Sequence, residues 1–373
     1  MKNLVLNNSK DIYAIPSQGC FYSPFNTSVG RMSHLLLINF EKDPDELYNI
    51  FELQEAIDDN GRNAFLVMAY CIDGTIDIYH QPSYPVCSEM TAESLECVTC
   101  FERPLADAKF AASTDYLVAG FSFEDKKGRK ISVEVRESKR ARKRPFFLMA
   151  PEGVVSRNPI TSSIFTLYEM EFANRKHTDI NILIDGVRHT PDKFPVPIRW
   201  TYNYFTRYST NTFSVDWNND VSGKMMSLTP GKGDLALDDD VIYKLVDNDG
   251  HIEIRTIYTD NGVNMFGPTF YPPIPELACL KDNVTLNGKA KIGTDKSIGI
   301  IYGDYTIEKR GNTVKIRLIP NKGWRPKRKR WLLSLIYKFV KVLKEWPKGH
   351  EWTATITFDE SNHPIMQSKW EKV

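Results

Sequence analysis

The sequence predicts an all-β protein built from two antiparallel barrels or sandwiches with few helices. Three observations predict it. Apolar and polar residues alternate with a period of two in KISVEVR (130–136), HIEIRTIY (251–258), VKIRLI (314–319) and WTATITF (352–358), the pattern of a strand with one buried face. Turn signals punctuate these runs: Asp73-Gly74, EDKKGRK, DNDGH, TDNGV and KRGNT join strands as hairpins. No GxGxxG or Walker pattern is present, and GKGD at 231–234 lacks the upstream glycine and the Ser or Thr of a phosphate loop, so closely spaced strands favour an antiparallel over a parallel α/β arrangement.

Further β-rich runs lie at 34–40, 64–71, 75–79, 116–125, 165–172, 179–184, 212–217 and 240–246. Two segments read as helix. Over 43–58, Asp43 stands at an N-cap position and Pro44 at the first helical position, and Leu47, Ile50 and Phe51 share a face. Near 327–346, Trp331, Leu332, Leu335, Ile336, Phe339, Val342, Leu343 and Trp346 fall on one side of a helix, with Ser334, Lys338, Lys341 and Glu345 on the other. Proline-rich stretches at 189–197 and 266–276 read as linkers or edges, since proline cannot donate to a ladder. The first divides the chain into an N-terminal β domain, 1–197, and a C-terminal β domain, 198–373.

A chain of 373 residues buries roughly three quarters of its unfolded surface, so no disulfide is required. A net charge of +1 argues against a chain that binds nucleic acid over its whole surface. The charge is uneven. Between Lys322 and Lys348 stand ten cations and one anion, a local +9 that leaves −8 elsewhere and suggests an anionic partner. Cys97 and Cys100 form a CxxC without a second pair or histidines at ligand spacing, and no metal or cofactor is expected. The N-terminus shows no signal-peptide core and no apolar run reaches membrane-spanning length, so the chain reads as cytoplasmic, with peripheral membrane contact open.

That contact rests on Lys327, Arg328, Lys329 and Arg330, followed by the apolar face carrying Trp331, Leu335, Phe339 and Trp346. Basic residues beside a Trp/Leu/Phe face describe an interfacial helix; a helix packed on its own protein's core has the same pattern. A second basic run holds Lys139, Arg140, Arg142, Lys143 and Arg144.

Carboxylates inside alternating strands are candidate general acids, because burial in an apolar barrel raises a carboxyl pKa. They are Glu169 and Glu171 in FTLYEMEF, Asp216 in TFSVDW and Asp77 in TIDIY; a charged residue at an alternating position also serves as a solvent-facing one. His189 and His80 lie near strand ends, and no histidine pairs with another at metal spacing. The stretch RWTYNYFTRYSTNTF (199–213) is dense in aromatics. Trp200, Tyr202 and Tyr204 share a face in an extended chain and could wall a pocket for an apolar ligand, with Arg199 and Arg207 holding a carboxylate or phosphate head at its edge.

The stretches YLVAGFSFEDKKGRKISVEV (116–135) and ILIDGVRHTPDKFPVPIRWTY (182–202), with the strand density, chain length and mid-chain break, resemble the two-domain lipocalin-like proteins related to carotenoid 1,2-hydratase. The resemblance implies two lipocalin-like barrels, a pocket for an apolar ligand and, in some members, acid-assisted hydration or cyclisation of an isoprenoid. The expected function is binding of an apolar or amphiphilic small molecule with reversible docking to an anionic membrane. Alternatives are an isoprenoid- or lipid-modifying enzyme with a buried carboxylate acid, and a structural or nucleic-acid-interacting protein.

Overall fold

The computed structural model describes residues 12–85, 98–140, 146–151, 162–194, 202–218, 220–233, 235–238, 241–260, 265–294, 299–326, 349–359 and 363–373. Among these the chain is all-β, with curled sheets including a half-barrel, and the helical content is a single 3-10 turn, Leu277–Cys279. The chain groups into two compact units, each assembled from separate stretches: residues 31–148 with 166–213, and residues 1–30 with 149–165 and 214–373. The division expected at 197/198 falls in 195–201, outside the described residues.

In the first of these units residues 203–213 of strand Asn203–Trp217 and the strands Met32–Asn39, Tyr48–Ile57, Asn63–Cys71, Ile76–His80 and Val98–Glu102 are hydrogen-bonded in that order. Neighbours are antiparallel except the last two, which run parallel through Ile76↔Val98 to His80↔Glu102. A second sheet has the order Val187–His189, Thr178–Ile184, Lys130–Glu137, Leu117–Glu124, Ala106–Ala112. The alternation read in KISVEVR is real: Ile131, Val133 and Val135 are buried. They join Leu36, Ile38, Phe51, Leu53, Val67, Phe121, Phe123, Ile180, Ile182 and Ile184 in one core. Phe51 meets Phe121 edge-on at 5.9 Å and Tyr79 meets Phe123 at 4.3 Å. Each fully buried side chain of this size contributes about 1.5–3 kcal/mol.

The helix expected over 43–58 is not formed. Residues Tyr48–Ile57 are a strand with neighbours on both sides, and Asp43–Leu47 is a turn. The acids that resemble a helix N-terminus serve other donors. Asp43 Oδ2 accepts from Thr190 N at 2.7 Å, while Asp45 Oδ2 accepts from Leu47 N at 3.1 Å and pairs with Arg129 at 3.0 Å. In the period-two reading Phe51 and Leu53 face the core while Glu52 and Gln54 take the opposite face. Burial of both faces and two ladders outweigh a local helical signal.

In the other unit a ten-stranded sheet runs from Ser222–Lys224 through Pro364–Lys372, His350–Phe358, Thr313–Pro326, Gly299–Arg310, Thr285–Thr294, Met265–Ile274, His251–Asp260 and Val241–Asn248 to Leu235–Asp238. The stretch 266–276, expected to be a linker or edge, is an interior strand up to Ile274. Its register is irregular between Ile254↔Ile274 and Thr256↔Thr269, so Pro272 and Pro273 sit where the ladder on that side is interrupted. One face of the sheet is apolar: Phe270, Tyr305, Ile307, Val314, Ile316, Leu318, Trp352 and Ile356 are buried. The N-terminal segment covers part of it, with Phe25 stacked on Phe270 at 4.8 Å and tilted against Trp352 at 5.1 Å, and Phe21 edge-on to Tyr243 at 5.7 Å. Gly288 lies opposite Tyr305, and a Cβ there would stand 2.2 Å from the ring; glycine lets the aromatic lie flat across the strand.

The amphipathic segment near 327–346, with Lys327, Arg328, Lys329, Arg330, Trp331, Leu335, Phe339 and Trp346, lies outside the described residues. No helix among the described residues is long and apolar enough to cross a membrane.

Candidate functional site

Strand Asn203–Trp217 lies inside its sheet, between Ser162–Asn174 and Met32–Asn39, and its alternation sorts the expected ligand residues onto opposite faces. Tyr204, Thr206 and Tyr208 turn to the sandwich core, where Tyr204 packs half-buried. Phe205 and Arg207 turn away. Tyr204 and Arg207 therefore do not share a pocket wall. Tyr202 is exposed, and Arg199 and Trp200 lie outside the described residues.

Arg207 begins a straight cross-strand row. Register places Arg207 beside Leu37, Leu37 beside Glu52, Glu52 beside Met68, Met68 beside Ile78 and Ile78 beside Cys100. At about 4.8 Å per strand the row is roughly 24 Å long. Its first half is polar. Arg207 Nη1 donates to Asn39 Oδ1 at 2.9 Å and to the Phe205 carbonyl at 3.3 Å, and the guanidinium lies 4.8 Å over the Phe205 ring. Glu52 accepts from Gln54 Nε2 at 2.7 Å and from Tyr70 OH at 3.1 Å, while Tyr84 OH donates to Gln54 Oε1 at 2.9 Å. Its second half is apolar: Met68 and Ile78 are buried with Ala56, Ala64, Leu66 and Tyr84, flanked by Ile76, Val98 and Cys100.

Two features make the polar end chemically unusual. Among the described residues, Nε and Nη2 of Arg207 donate to no protein acceptor. Burial lowers the Arg207 pKa from its ordinary value, with Glu52, Tyr70 and Glu41 opposing. Burial also raises the Glu52 pKa above the usual carboxylate range, offset in part by Gln54, Tyr70 and Arg207. Glu52 is thus a weak counter-ion, and among the described residues Arg207 is a recessed cation with spare donors and no ion pair.

The other expected residues have structural partners. His189 is buried; its Nδ1 donates to the Asp43 carbonyl at 3.0 Å, and its ring packs against Phe40, which fastens the turn that leads into Tyr48–Ile57. Glu169 lies in strand Ser162–Asn174, with its side chain outside the described residues. Asp216, half-buried opposite Ser28, belongs to the other compact unit. Asp77 is buried, paired with Lys126 at 2.8 Å and accepting from Tyr48 OH at 3.0 Å.

Glu171 is in a second buried polar group that the sequence did not reveal as a set. Tyr208 OH donates to Glu137 Oε2 at 2.6 Å and stands 3.1 Å from Glu171 Oε2. Arg140 pairs with Glu171 at 3.5 Å and lies over the Tyr208 ring at 5.4 Å. In sequence Arg140 stands in a basic run; only the pairing of Lys130–Glu137 with Thr178–Ile184 and the return of Ser162–Asn174 bring it and Glu137 to Tyr208. No protein-family model, curated protein or solved structure matches the chain.

Proposed function

We propose that the chain binds a small amphiphile with an anionic head and an apolar tail. The observation that carries this reading is the recessed guanidinium of Arg207, without an ion pair among the described residues, at the head of a row that turns apolar at Met68 and Ile78. A carboxylate or phosphate oxygen pair matches the Nε and Nη2 fork, and the ligand's tail follows the apolar part of the face. This reading fits the apolar ligands of the lipocalin-like proteins that the sequence resembles. A two-barrel layout of that kind, and reversible docking to an anionic membrane through Lys327–Arg330, belong to the same proposal.

The test is displacement of a fluorescent long-chain fatty acid by three unlabelled amphiphiles of equal chain length: an alkyl carboxylate, an alkyl phosphate and the neutral alcohol. The wild type is expected to prefer the anions over the alcohol by about tenfold or more, the scale of one charge-assisted hydrogen bond. Arg207→Leu is expected to lose that preference and keep its fold by circular dichroism. Equal competition by all three ligands in the wild type, or an unchanged preference in Arg207→Leu, rejects the assignment.

A further inference from the structure

The geometry points to a transition-metal site of the zinc class formed by His251, Glu276 and Cys279 in the unit of the ten-stranded sheet. His251 opens strand His251–Asp260 directly after the turn at Asp249-Gly250, where both residues have positive φ. Glu276 caps the 3-10 turn Leu277–Cys279, and Cys279 ends it. These residues are 25 and 3 positions apart in sequence, so neither a histidine pair nor a cysteine pair announces them.

Their donor atoms converge on one point, His251 and Cys279 each against a different oxygen of Glu276. His251 Nδ1 is 3.3 Å from Glu276 Oε2 and Cys279 Sγ is 3.2 Å from Glu276 Oε1. One ligand atom from each residue falls within 4.8 Å of the other two. Tetrahedral zinc, with Zn–N and Zn–O near 2.0–2.1 Å and Zn–S near 2.3 Å, sets ligand-to-ligand edges of about 3.3–3.6 Å. The donor mix of imidazole, thiolate and carboxylate suits Zn²⁺ or Co²⁺ and not the all-oxygen shells of Ca²⁺ or Mg²⁺.

The surroundings hold this set rigidly. Glu276 accepts from Ile252 N and from Gln18 N, each at 3.2 Å, which fixes its plane. The Tyr13 ring stacks on the His251 ring at 3.7 Å and 13°, and Tyr13 OH donates to buried Glu253 at 2.8 Å. The N-terminal segment is tied beside the 3-10 turn by Ala14 N to the Cys279 carbonyl and by Lys281 N to the Ile12 carbonyl, both 2.8 Å. Outer contacts of this kind orient ligands and sustain metal affinity. Glu276 and Cys279 are buried, and the His251 side chain is 12 % exposed, which leaves the imidazole side as the approach.

In the metal-free arrangement two protons, on Sγ and on Nδ1, both point at one carboxylate. A single divalent ion replaces them. The thiol proton leaves to solvent, and the imidazole proton shifts to Nε2, so a neutral His251 loses none. No redox change is involved. Three protein ligands leave a fourth position, filled by water or by a nearby donor. The Pro16 carbonyl, 3.5 Å from Sγ, is one such donor.

The experiment uses the full chain, purified without a metal-affinity tag, and two readouts: zinc content after exhaustive dialysis, and the spectrum after loading with Co²⁺. One zinc per chain is expected. Cobalt is expected to give thiolate charge-transfer absorption in the near ultraviolet with tetrahedral d–d bands in the visible. Cys279→Ser is expected to abolish the charge-transfer band, and His251→Gln and Glu276→Gln to weaken zinc binding by about tenfold or more. Folded wild-type protein that holds no zinc and shows no cobalt bands overturns the proposal, and so does a charge-transfer band that survives Cys279→Ser. Where a variant fails to fold by circular dichroism, the wild-type stoichiometry and spectrum decide.

Discussion

Replacing Tyr208 by Phe isolates one atom of the buried group at Glu137, Glu171 and Arg140. The ring stays, so no cavity forms and the change is confined to the hydroxyl. That hydroxyl has one proton and stands near two carboxyl oxygens, at 2.6 Å from Glu137 and 3.1 Å from Glu171. It can donate to only one of them, and the shorter contact marks Glu137 as the acceptor. Glu137 keeps the Asn174 N–H at 3.1 Å on its other oxygen, and Glu171 keeps Arg140. The cost is therefore one donated bond to a buried carboxylate, about 1.5–3 kcal/mol, and not two. At about 2–4 °C per kcal/mol for a unit of this size, the midpoint of thermal unfolding should fall by roughly 3–12 °C. The assay is a thermal melt of both proteins, with urea unfolding to confirm that the midpoint moves while the slope does not. Tyr204→Phe, where the ring is half-buried and the hydroxyl serves no buried acid among the described residues, is the control and should stay within about 0.5 kcal/mol of wild type. A Tyr208→Phe protein that melts with the control refutes the counting argument.

Two further outcomes are expected. The folded-state pKa of Glu52 lies above its unfolded value because of burial. Below the unfolded value both states are protonated and the group is neutral to stability; as pH rises through it, the unfolded chain ionises first and the fold loses stability. Glu52→Gln should therefore be no more stable than wild type at pH 4 and progressively more stable towards pH 7, and a melting-temperature difference that is flat across that range contradicts this. For the basic segment, co-sedimentation with anionic liposomes should be salt-sensitive and lost when Lys327, Arg328, Lys329 and Arg330 are changed to Ser; a variant that sediments like wild type removes the membrane from the proposal.

Much of the strand content was legible because alternation is a local signal. Lys130–Glu137, Thr313–Pro326 and His350–Phe358 contain runs read directly from their residues, and Asp73-Gly74 does turn the chain, with Gly74 at φ 88°. Segment 43–58 misled because Asp43, Pro44 and the following acids satisfy helix-start chemistry, while the ladders that override it come from residues 32–39 and 63–71. The parallel pairing of Ile76–His80 with Val98–Glu102 is non-local in the same way. Of the candidate sites, Arg207 was visible as a cation in an aromatic strand. That it faces away from Tyr204 follows from odd and even positions in one strand. Its row through Leu37, Glu52, Met68 and Ile78 needs the register of four other strands. His251, Glu276 and Cys279 are joined only by the return of Met265–Ile274 alongside His251–Asp260, and Glu276-x-x-Cys279 was the one local trace.

The division of the chain has a consequence in time. Residues 31–148 and 166–213 are complete once the chain has reached 213, whereas the N-terminal residues up to Gly30 belong with stretches that run to the last residue. Phe25 leans on Trp352, and Trp370 donates through Nε1 to the Asn218 carbonyl at 2.8 Å. At about 5–20 residues per second, Phe21 waits roughly 11–44 s for Tyr243 and Phe25 roughly 16–65 s for Trp352. The inserted unit can finish folding during that interval. The segment carrying Phe21 and Phe25 is buried only after residues C-terminal to 213 have been made, so a ribosome that stalls after residue 213 would leave the inserted unit attached to an uncovered aromatic segment, a form a chaperone or protease would recognise.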